Sequence, residues 1–209
     1  MELERRPETL DARRGSSRTR SAASAWEALS EEIRTCQKCP LHSTRTQVVI
    51  YRGDLAPRVL FVGEAPGAAE DRAGLPFVGR SGQRLDAAIA RAGLAPAEFG
   101  ILNLIKCHPP ENRFDRVAEH TCRPYLDRQI ALLSPRLIVP LGSHAFHALA
   151  PDGGPILAVA GRPHAGSDPP LFPLIHPAAA LRSRRLSERW TQDVDALGRW
   201  LRERPAQPV

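Results

Sequence analysis

The feature that most constrains the fold is the alternation of short apolar runs with segments of helical periodicity. Apolar runs typical of buried strands lie at 58–64, 100–106, 136–142 and 171–176. Helical spacing of apolar residues predicts helices over 81–93, 116–133 and 143–150, and a terminal amphipathic helix containing Trp190 and Trp200. Strands that alternate with helices predict an α/β domain with a mainly parallel sheet, covered by helices on both faces.

Length and composition suit one globular domain. The chain has 209 residues, of which 42% are hydrophobic and 25% charged. We expect this domain to span 24–204, between a disordered Arg/Ser-rich tail at 1–23 and a short tail at 205–209. Within it, a short helix is predicted over 24–41 and a hairpin over 155–164. Because the sequence has neither a long apolar run nor an apolar signal core, we expect a cytoplasmic protein without a membrane partner.

The charge balance mildly favours a nucleic-acid partner. The net charge is +6, and of 29 basic residues only Lys38 and Lys106 are lysine. Arginine suits phosphate contacts, and a basic domain attracts nucleic acid. A GC-rich genome would also enrich arginine, so charge alone does not decide the question.

Polar side chains follow the predicted strands at one edge of the sheet. Glu64 follows the first strand, Asn103 and Lys106 come late in the second, and His176 follows the fourth. Parallel sheets bind ligands at the carboxyl ends of their strands. A buried Asn must find hydrogen-bond partners, and its amide offers the donor and acceptor needed to read the edge of a base. For Glu64 a capping role, and for His176 a structural role, are alternatives.

Four cysteines form a candidate metal site. Cys36 and Cys39 make a Cys-x-x-Cys pair, while Cys107 follows the second strand and Cys122 lies on the next helix. Four thiolates can bind structural zinc or a [4Fe–4S] cluster. The long gaps favour a cluster slightly, but the spacing does not choose between the two.

Six segments, in this order, carry a resemblance to a known family: CQKCPL, GEAPGAAEDRAGLPFVGRSGQRLD, LNLIKCHPPENR, CRPYL, LIVPLGSHA and IHPAAALR. Together they cover roughly residues 28–184, and the second is long and specific. The sequence resembles the family 4 uracil-DNA glycosylases, the iron–sulfur type of bacteria and archaea. The resemblance implies a three-layer α/β/α fold with a four-stranded parallel central sheet. It also implies a [4Fe–4S] cluster on the four cysteines and uracil-containing DNA as the substrate.

The resemblance also implies roles for site residues. Gly63, Glu64 and Ala65 would line a uracil pocket, Phe77 would stack on the flipped base, and Asn103 would pair with its edge. His176 would hydrogen-bond uracil O2 and stabilise the leaving base, and Glu70 would lie near C5 and help to exclude thymine. Other uracil glycosylases carry a water-orienting aspartate where this chain has Ala65, so Glu64 or Asn112 is the candidate for that role. Leu181 is a candidate wedge, and the candidate phosphate contacts are Arg182, Arg184 and Arg185.

Two other functions fit parts of the sequence. One is a relative that crosslinks covalently to DNA through a histidine in an inserted loop, but segment 107–115 has no such insertion. The other is a non-catalytic iron–sulfur module that only binds DNA. The expected function remains a monomeric glycosylase that releases uracil and leaves an abasic site for later base-excision-repair proteins. No role is expected for the other six histidines.

Overall fold

The computed structural model describes residues 10–164 and 166–204, with side chains described from residue 21 onward. The strands are β1 (Arg52–Gly53), β2 (Val59–Gly63), β3 (Phe99–Asn103) and β4 (Leu137–Pro140). The helices are α1 (Leu10–Arg34), α2 (Ala68–Ala73), α3 (Arg80–Ala92), α4 (Arg116–Leu133), α5 (Ser143–Leu149), α6 (Ile156–Val159), α7 (Pro177–Arg182) and α8 (Arg184–Glu203). Short 3₁₀ turns lie at Pro40–Ser43, Pro96–Glu98 and Pro110–Asn112.

The four strands form one mixed sheet in the order β1-β3-β2-β4. β2 pairs in parallel with both β3 and β4, whereas β1 pairs antiparallel with β3. The expectation of a purely parallel four-stranded sheet is therefore wrong. The parallel pairs follow from the helical crossovers between β2, β3 and β4. β1 is a two-residue edge strand, too short to leave a periodic signal in the sequence.

The predicted fourth strand, 171–176, does not form a regular strand. Its residues run parallel beside β4 but make only isolated bridges, from Leu171 to Ile138 and from Leu174 to Leu141. Phe172 and Leu174 donate their N–H groups to the Ile138 and Pro140 carbonyls, but Pro140 of β4 has no N–H to return a bond to Phe172, which interrupts a continuous ladder. The segment still carries His176 to the same edge of the sheet.

Burial on both faces explains why β2 is continuously apolar. All five of its residues are buried. Val59 and Phe61 pack in a core cluster with residues of α3 and α8, whereas Leu60 and Val62 pack in a second cluster with residues of α4 and α5. Since successive side chains of a strand point to opposite faces, these two clusters lie on the two sides of the sheet.

Helices α3 and α4 lie close to their predicted positions. α3 ends at Ala92, and Gly93, which has φ +82°, caps the helix. α4 continues through Pro124 without a break. Asp115 begins α4, because its side chain accepts a hydrogen bond from the backbone N–H of Ala118.

The structure also differs from the sequence predictions in several other segments. The 155–164 region forms the short helix α6 rather than a hairpin, and α2 was not predicted. α1 begins at Leu10, so it includes part of the segment expected to be a disordered tail. The rest of that tail, 1–9, and the short tail 205–209 lie outside the described residues. Within the described part of the chain, the helices are all too short or too polar to cross a membrane.

Candidate active site

A cleft of about 470 Å³ opens at the carboxyl ends of β2 and β3, where α7 begins. Most of the sequence-predicted site residues meet there. The lining residues come from the turn after β2, α2, the loop before α3 and its first turn, the end of β3 and the loop after it, and α7 with the residue before it: Glu64, Ala65, Pro66, Gly67, Glu70, Phe77, Ser81, Asn103, Pro109, Asn112, His176, Ala178, Ala179 and Arg182.

Gly63 lies behind this lining, at the end of β2. A Cβ atom at Gly63 would lie 2.3 Å from Asn103 Oδ1 and 2.6 Å from Phe77 Cε2. These separations are far below an ordinary contact, so a residue with a side chain would displace both neighbours. Gly63 therefore allows the amide and the ring to approach the strand backbone.

Asn103 ends β3 and is 1% exposed. Its Oδ1 atom is buried and has no hydrogen-bond partner among the described residues. Its backbone carbonyl accepts a hydrogen bond from the buried ammonium group of Lys106. A buried amide oxygen without a partner costs about 1–3 kcal/mol, which a ligand that donates to it would offset.

Phe77 is held in an uncommon backbone conformation. Its φ is +54°, which non-glycine residues rarely adopt. A Cβ atom at Gly82 would lie 1.9 Å from the Phe77 carbonyl oxygen, so the first turn of α3 packs directly on this backbone. The Phe77 ring lies 6.0 Å from the His176 ring, centroid to centroid. Packing from the first turn of α3 thus maintains a conformation that is strained for phenylalanine.

Glu70 ties the turn after β2 to the Phe77 loop. Its Oε2 accepts a hydrogen bond from Gly67 N–H at 3.1 Å. Its Oε1 accepts from the N–H groups of Val78 and Gly79 at 2.9 and 2.8 Å. Both carboxylate oxygens are engaged by the backbone, so Glu70 shapes the wall of the cleft.

His176 is the N-cap residue of α7. Its Nδ1 atom accepts a hydrogen bond from the Ala178 N–H at 3.1 Å, so the proton of the neutral ring is on Nε2. Burial lowers the pKa of His176, and Arg182 lowers it further, while Glu64 and Glu70 oppose the shift. The cleft therefore holds a neutral imidazole with one N–H donor.

Two histidines without an expected role contact candidate site residues. His144, in the first turn of α5, lies 2.7 Å from Glu64 Oε2 through its Nδ1 atom. His108 lies 3.2 Å from Asn112 Oδ1 through its Nε2 atom. The sequence assigned no role to either histidine, and the structure places both in contact with candidate site residues. His144 lies four residues after the end of β4, so the strand-end rule applied to all three parallel strands, with the first turn of the following helix included, would have found it.

The candidate DNA-binding residues separate into two groups. Arg182 lines the cleft, and Leu181 beside it is 40% exposed. Arg184 instead forms an ion pair with Glu188, and both Arg184 and Arg185 are exposed outside the cleft lining.

The four cysteines are free thiols around one small cavity. Lys106, Arg45 and Lys38 also line it, and Arg45 Nη1 lies 3.2 Å from Cys107 Sγ. Burial raises the pKa of Cys122 to about 11. In the described part of the chain, no three His, Cys, Asp or Glu side chains are arranged as ligands of a single metal ion.

Comparison with known proteins agrees with this arrangement. The sequence model of the uracil DNA glycosylase superfamily matches residues 50–197. The chain belongs to the uracil-DNA glycosylase superfamily. It is 40% identical to a type-4 uracil-DNA glycosylase of Pyrobaculum aerophilum over 177 residues, which cover 80% of this chain and 90% of that relative.

Similarity extends to other members of the superfamily. A type-4 uracil-DNA glycosylase of Thermotoga maritima is 39% identical over 76% of this chain and 84% of the relative. A type-5 uracil-DNA glycosylase of Mycobacterium leprae is 31% identical over 56% of this chain and 67% of the relative. The superfamily match begins after Cys36 and Cys39, and it includes the whole cleft of this glycosylase.

Proposed function

We propose that this glycosylase excises uracil from DNA by hydrolysing the bond between the base and deoxyribose of a nucleotide flipped into the cleft. Enzymes that act on a base extrude it from the duplex into a fitted pocket. The observation that carries the proposal is the buried Asn103 Oδ1 atom at the edge of the cleft, for which the described part of the chain supplies no hydrogen-bond partner. Uracil N3–H would donate to this oxygen, and the amide nitrogen would donate to uracil O4.

The same geometry selects against cytosine. Cytosine presents an acceptor at N3 and an amino donor at C4, the reverse of the uracil pattern. Against Asn103, both pairs would be mismatched. Each unpaired buried group costs about 1–3 kcal/mol, so the amide can discriminate by about 10²–10⁴-fold.

The other walls of the cleft suit a flat base. Phe77 would stack on it, and the Gly63–Ala65 turn would allow close approach. Glu70, held by three backbone N–H groups, would keep the wall rigid. Exclusion of thymine by this wall near C5 stays a prediction.

His176 would stabilise the departing base. Breaking the glycosidic bond places negative charge on uracil and positive charge on the sugar. The Nε2–H of neutral His176 would donate to O2 of the leaving base without transferring its proton. A preorganised donor of this kind contributes about 3–4 kcal/mol to the transition state.

Water then attacks the sugar. Glu64 and Asn112 both line the cleft and carry acceptor oxygens suited to orient that water. The Glu64 carboxylate would also favour the positive charge that develops on the sugar.

Binding of the duplex would use the C-terminal end of α7. Leu181 would fill the space of the flipped base, and Arg182 would contact phosphate. Arg184 and Arg185 are weaker candidates, since they lie outside the cleft lining. A monomeric state, a cytoplasmic location and transfer of the abasic product to later repair enzymes stay predictions from the sequence.

We also propose that Cys36, Cys39, Cys107 and Cys122 hold a [4Fe–4S] cluster. All four thiols line one small cavity, as a cluster held by four cysteine thiolates requires. Lys106 and Arg45 supply positive charge beside the thiols, as a negatively charged cluster requires. Bound there, the cluster would supply a covalent link between the end of α1, the segment after β3 and α4.

The three-layer α/β/α arrangement is part of the same proposal. It is supported by the two core clusters, to which alternate residues of β2 contribute.

The function is tested with purified full-length protein and a labelled duplex that contains one uracil. The proposal requires free uracil and a strand that breaks only after alkali treatment. A DNA adduct that survives denaturation would instead indicate covalent capture. DNA binding without base release would indicate a non-catalytic binding module.

A further inference from the structure

His144 contacts Glu64 across the mouth of the cleft. A carboxylate only accepts hydrogen bonds, so the 2.7 Å contact requires that His144 Nδ1 carries the proton and donates to Glu64 Oε2. The other oxygen of Glu64 has no hydrogen-bond partner among the described residues and remains available to a water in the cleft. The bond therefore fixes the rotation of the carboxylate.

The same imidazole holds the loop that follows β3. Its ring stacks on Phe114, with the centroids 3.8 Å apart and the planes 3° from parallel. Phe114 lies two residues after Asn112, in a loop where Glu111 and Asn112 have φ values of +56° and +54°. Two successive left-handed residues cost about 1–2 kcal/mol each, so the loop needs outside contacts to keep this shape.

Contribution to fold stability does not explain this arrangement. The side chains of Glu64 and His144 are 30% and 47% exposed, and ion pairs at that exposure contribute little to stability. The contacts of His144 instead converge on the two residues that are candidates to orient water. One is Glu64, bonded directly, and the other is Asn112, carried by the loop that Phe114 anchors.

We propose that His144 is a positioning residue that clamps the Glu64 carboxylate and the 108–115 loop, and thereby orients the water that attacks the sugar. This inference rests on the proposed glycosylase function. It assigns to His144 no contact with the base or the sugar. Correct placement of reacting groups is worth up to about 100-fold in rate for a displacement near 1 Å.

Substitutions can separate the two contacts of His144. His144→Ala removes both, His144→Asn keeps an N–H donor near the position of Nδ1, and His144→Phe keeps only the stacking ring. His147→Gln is the matched control, because His147 is exposed on the same helix but bonds to the Gly154 carbonyl, outside the cleft lining.

The measurements are the single-turnover rate of uracil release, KM for the uracil duplex and the melting temperature. His144→Ala should lower the rate about tenfold, with KM changed less than about twofold and the melting temperature nearly unchanged. His144→Asn should recover most of the rate and His144→Phe little of it. In a Glu64→Ala background, His144→Ala should lower the rate by a smaller factor than it does in the wild type, because the two residues act together.

Each other outcome has a defined meaning. If the wild-type protein releases no uracil, the proposed function fails and the clamp fails with it. If the wild type is active and His144→Ala matches it, the clamp alone is refuted. A raised KM in His144→Ala, together with a weaker salt dependence of DNA binding, would show that His144 contacts phosphate. Equal recovery of the rate by His144→Asn and His144→Phe would show that the His144–Glu64 hydrogen bond does not contribute to the rate. Either result overturns the proposal.

Discussion

Adding one carbon at Gly63 should damage the cleft much more than the fold. In Gly63→Ala, the new Cβ would lie 2.3 Å from Asn103 Oδ1 and 2.6 and 2.7 Å from two atoms of the Phe77 ring, where ordinary contact begins at 3.4 Å. The amide must therefore move by about 1 Å, and the ring by somewhat less. A displacement of that size costs up to about 100-fold in rate, while overpacking costs about 1–3 kcal/mol of stability.

The assay compares single-turnover uracil release with thermal unfolding. Gly63→Ala should remain folded at 25 °C, melt several degrees lower and release uracil about 100-fold more slowly. Gly198→Ala is the control, because its Cβ would lie 3.2 Å from Ala92 Cα in the α3–α8 contact, outside the cleft lining. It should keep the wild-type rate. A Gly63→Ala protein with an undiminished rate would refute the assigned positions of Asn103 and Phe77.

Three further predictions follow from the site. Burial lowers the pKa of His176, so its imidazole is neutral at every pH above its ordinary pKa of 6.5. The rate of uracil release should therefore decline only as the pH falls below that value, which a pH–rate profile checks. The variant His176→Asn, which cannot titrate there, should be slower and should lack that decline. Cys107→Ser should lose iron, acid-labile sulfide and visible absorbance and should unfold at a lower temperature; normal iron content would remove Cys107 from the ligand set. Arg182→Gln should reduce the slope of log Kd against log salt by about 1 in DNA-binding titrations, whereas Arg91→Gln, whose arginine pairs with Asp195 on α8, should not.

Sequence patterns predicted the parts of this fold that depend on burial. β2, β3 and β4 are apolar because helices cover both faces of the sheet, and α3 carries a regular apolar stripe. Patterns failed where backbone chemistry or local contacts decide the structure. β1 has two residues, and Pro140 of β4 interrupts the ladder between β4 and the 171–176 segment. The second predicted strand was too long, because β3 ends at Asn103 and Lys106 is buried beside the cysteines.

The convergence of Glu64, Asn103 and His176 was predictable, because parallel strands end at a common edge. The structure brings all three into one cleft. The left-handed conformation of Phe77 and the His144–Glu64 hydrogen bond were not predictable in the same way. Both depend on contacts between segments that are distant in sequence, such as the 80 residues between Glu64 and His144. The three backbone hydrogen bonds to the Glu70 carboxylate were likewise not predictable, because they form only when the turn after β2 and the Phe77 loop come together in the folded chain.

The central claim is that the side-chain amide of Asn103 reads the edge of uracil. Single-turnover base release from duplexes that carry uracil or cytosine at one position, measured for the wild type and Asn103→Ala, tests it most directly. The account predicts rapid release of uracil by the wild type, no detectable release of cytosine, and a loss of about 100-fold or more on uracil in Asn103→Ala. Because the buried Oδ1 atom has no hydrogen-bond partner among the described residues, the variant should lose little stability. An Asn103→Ala protein that releases uracil at the wild-type rate would contradict the account.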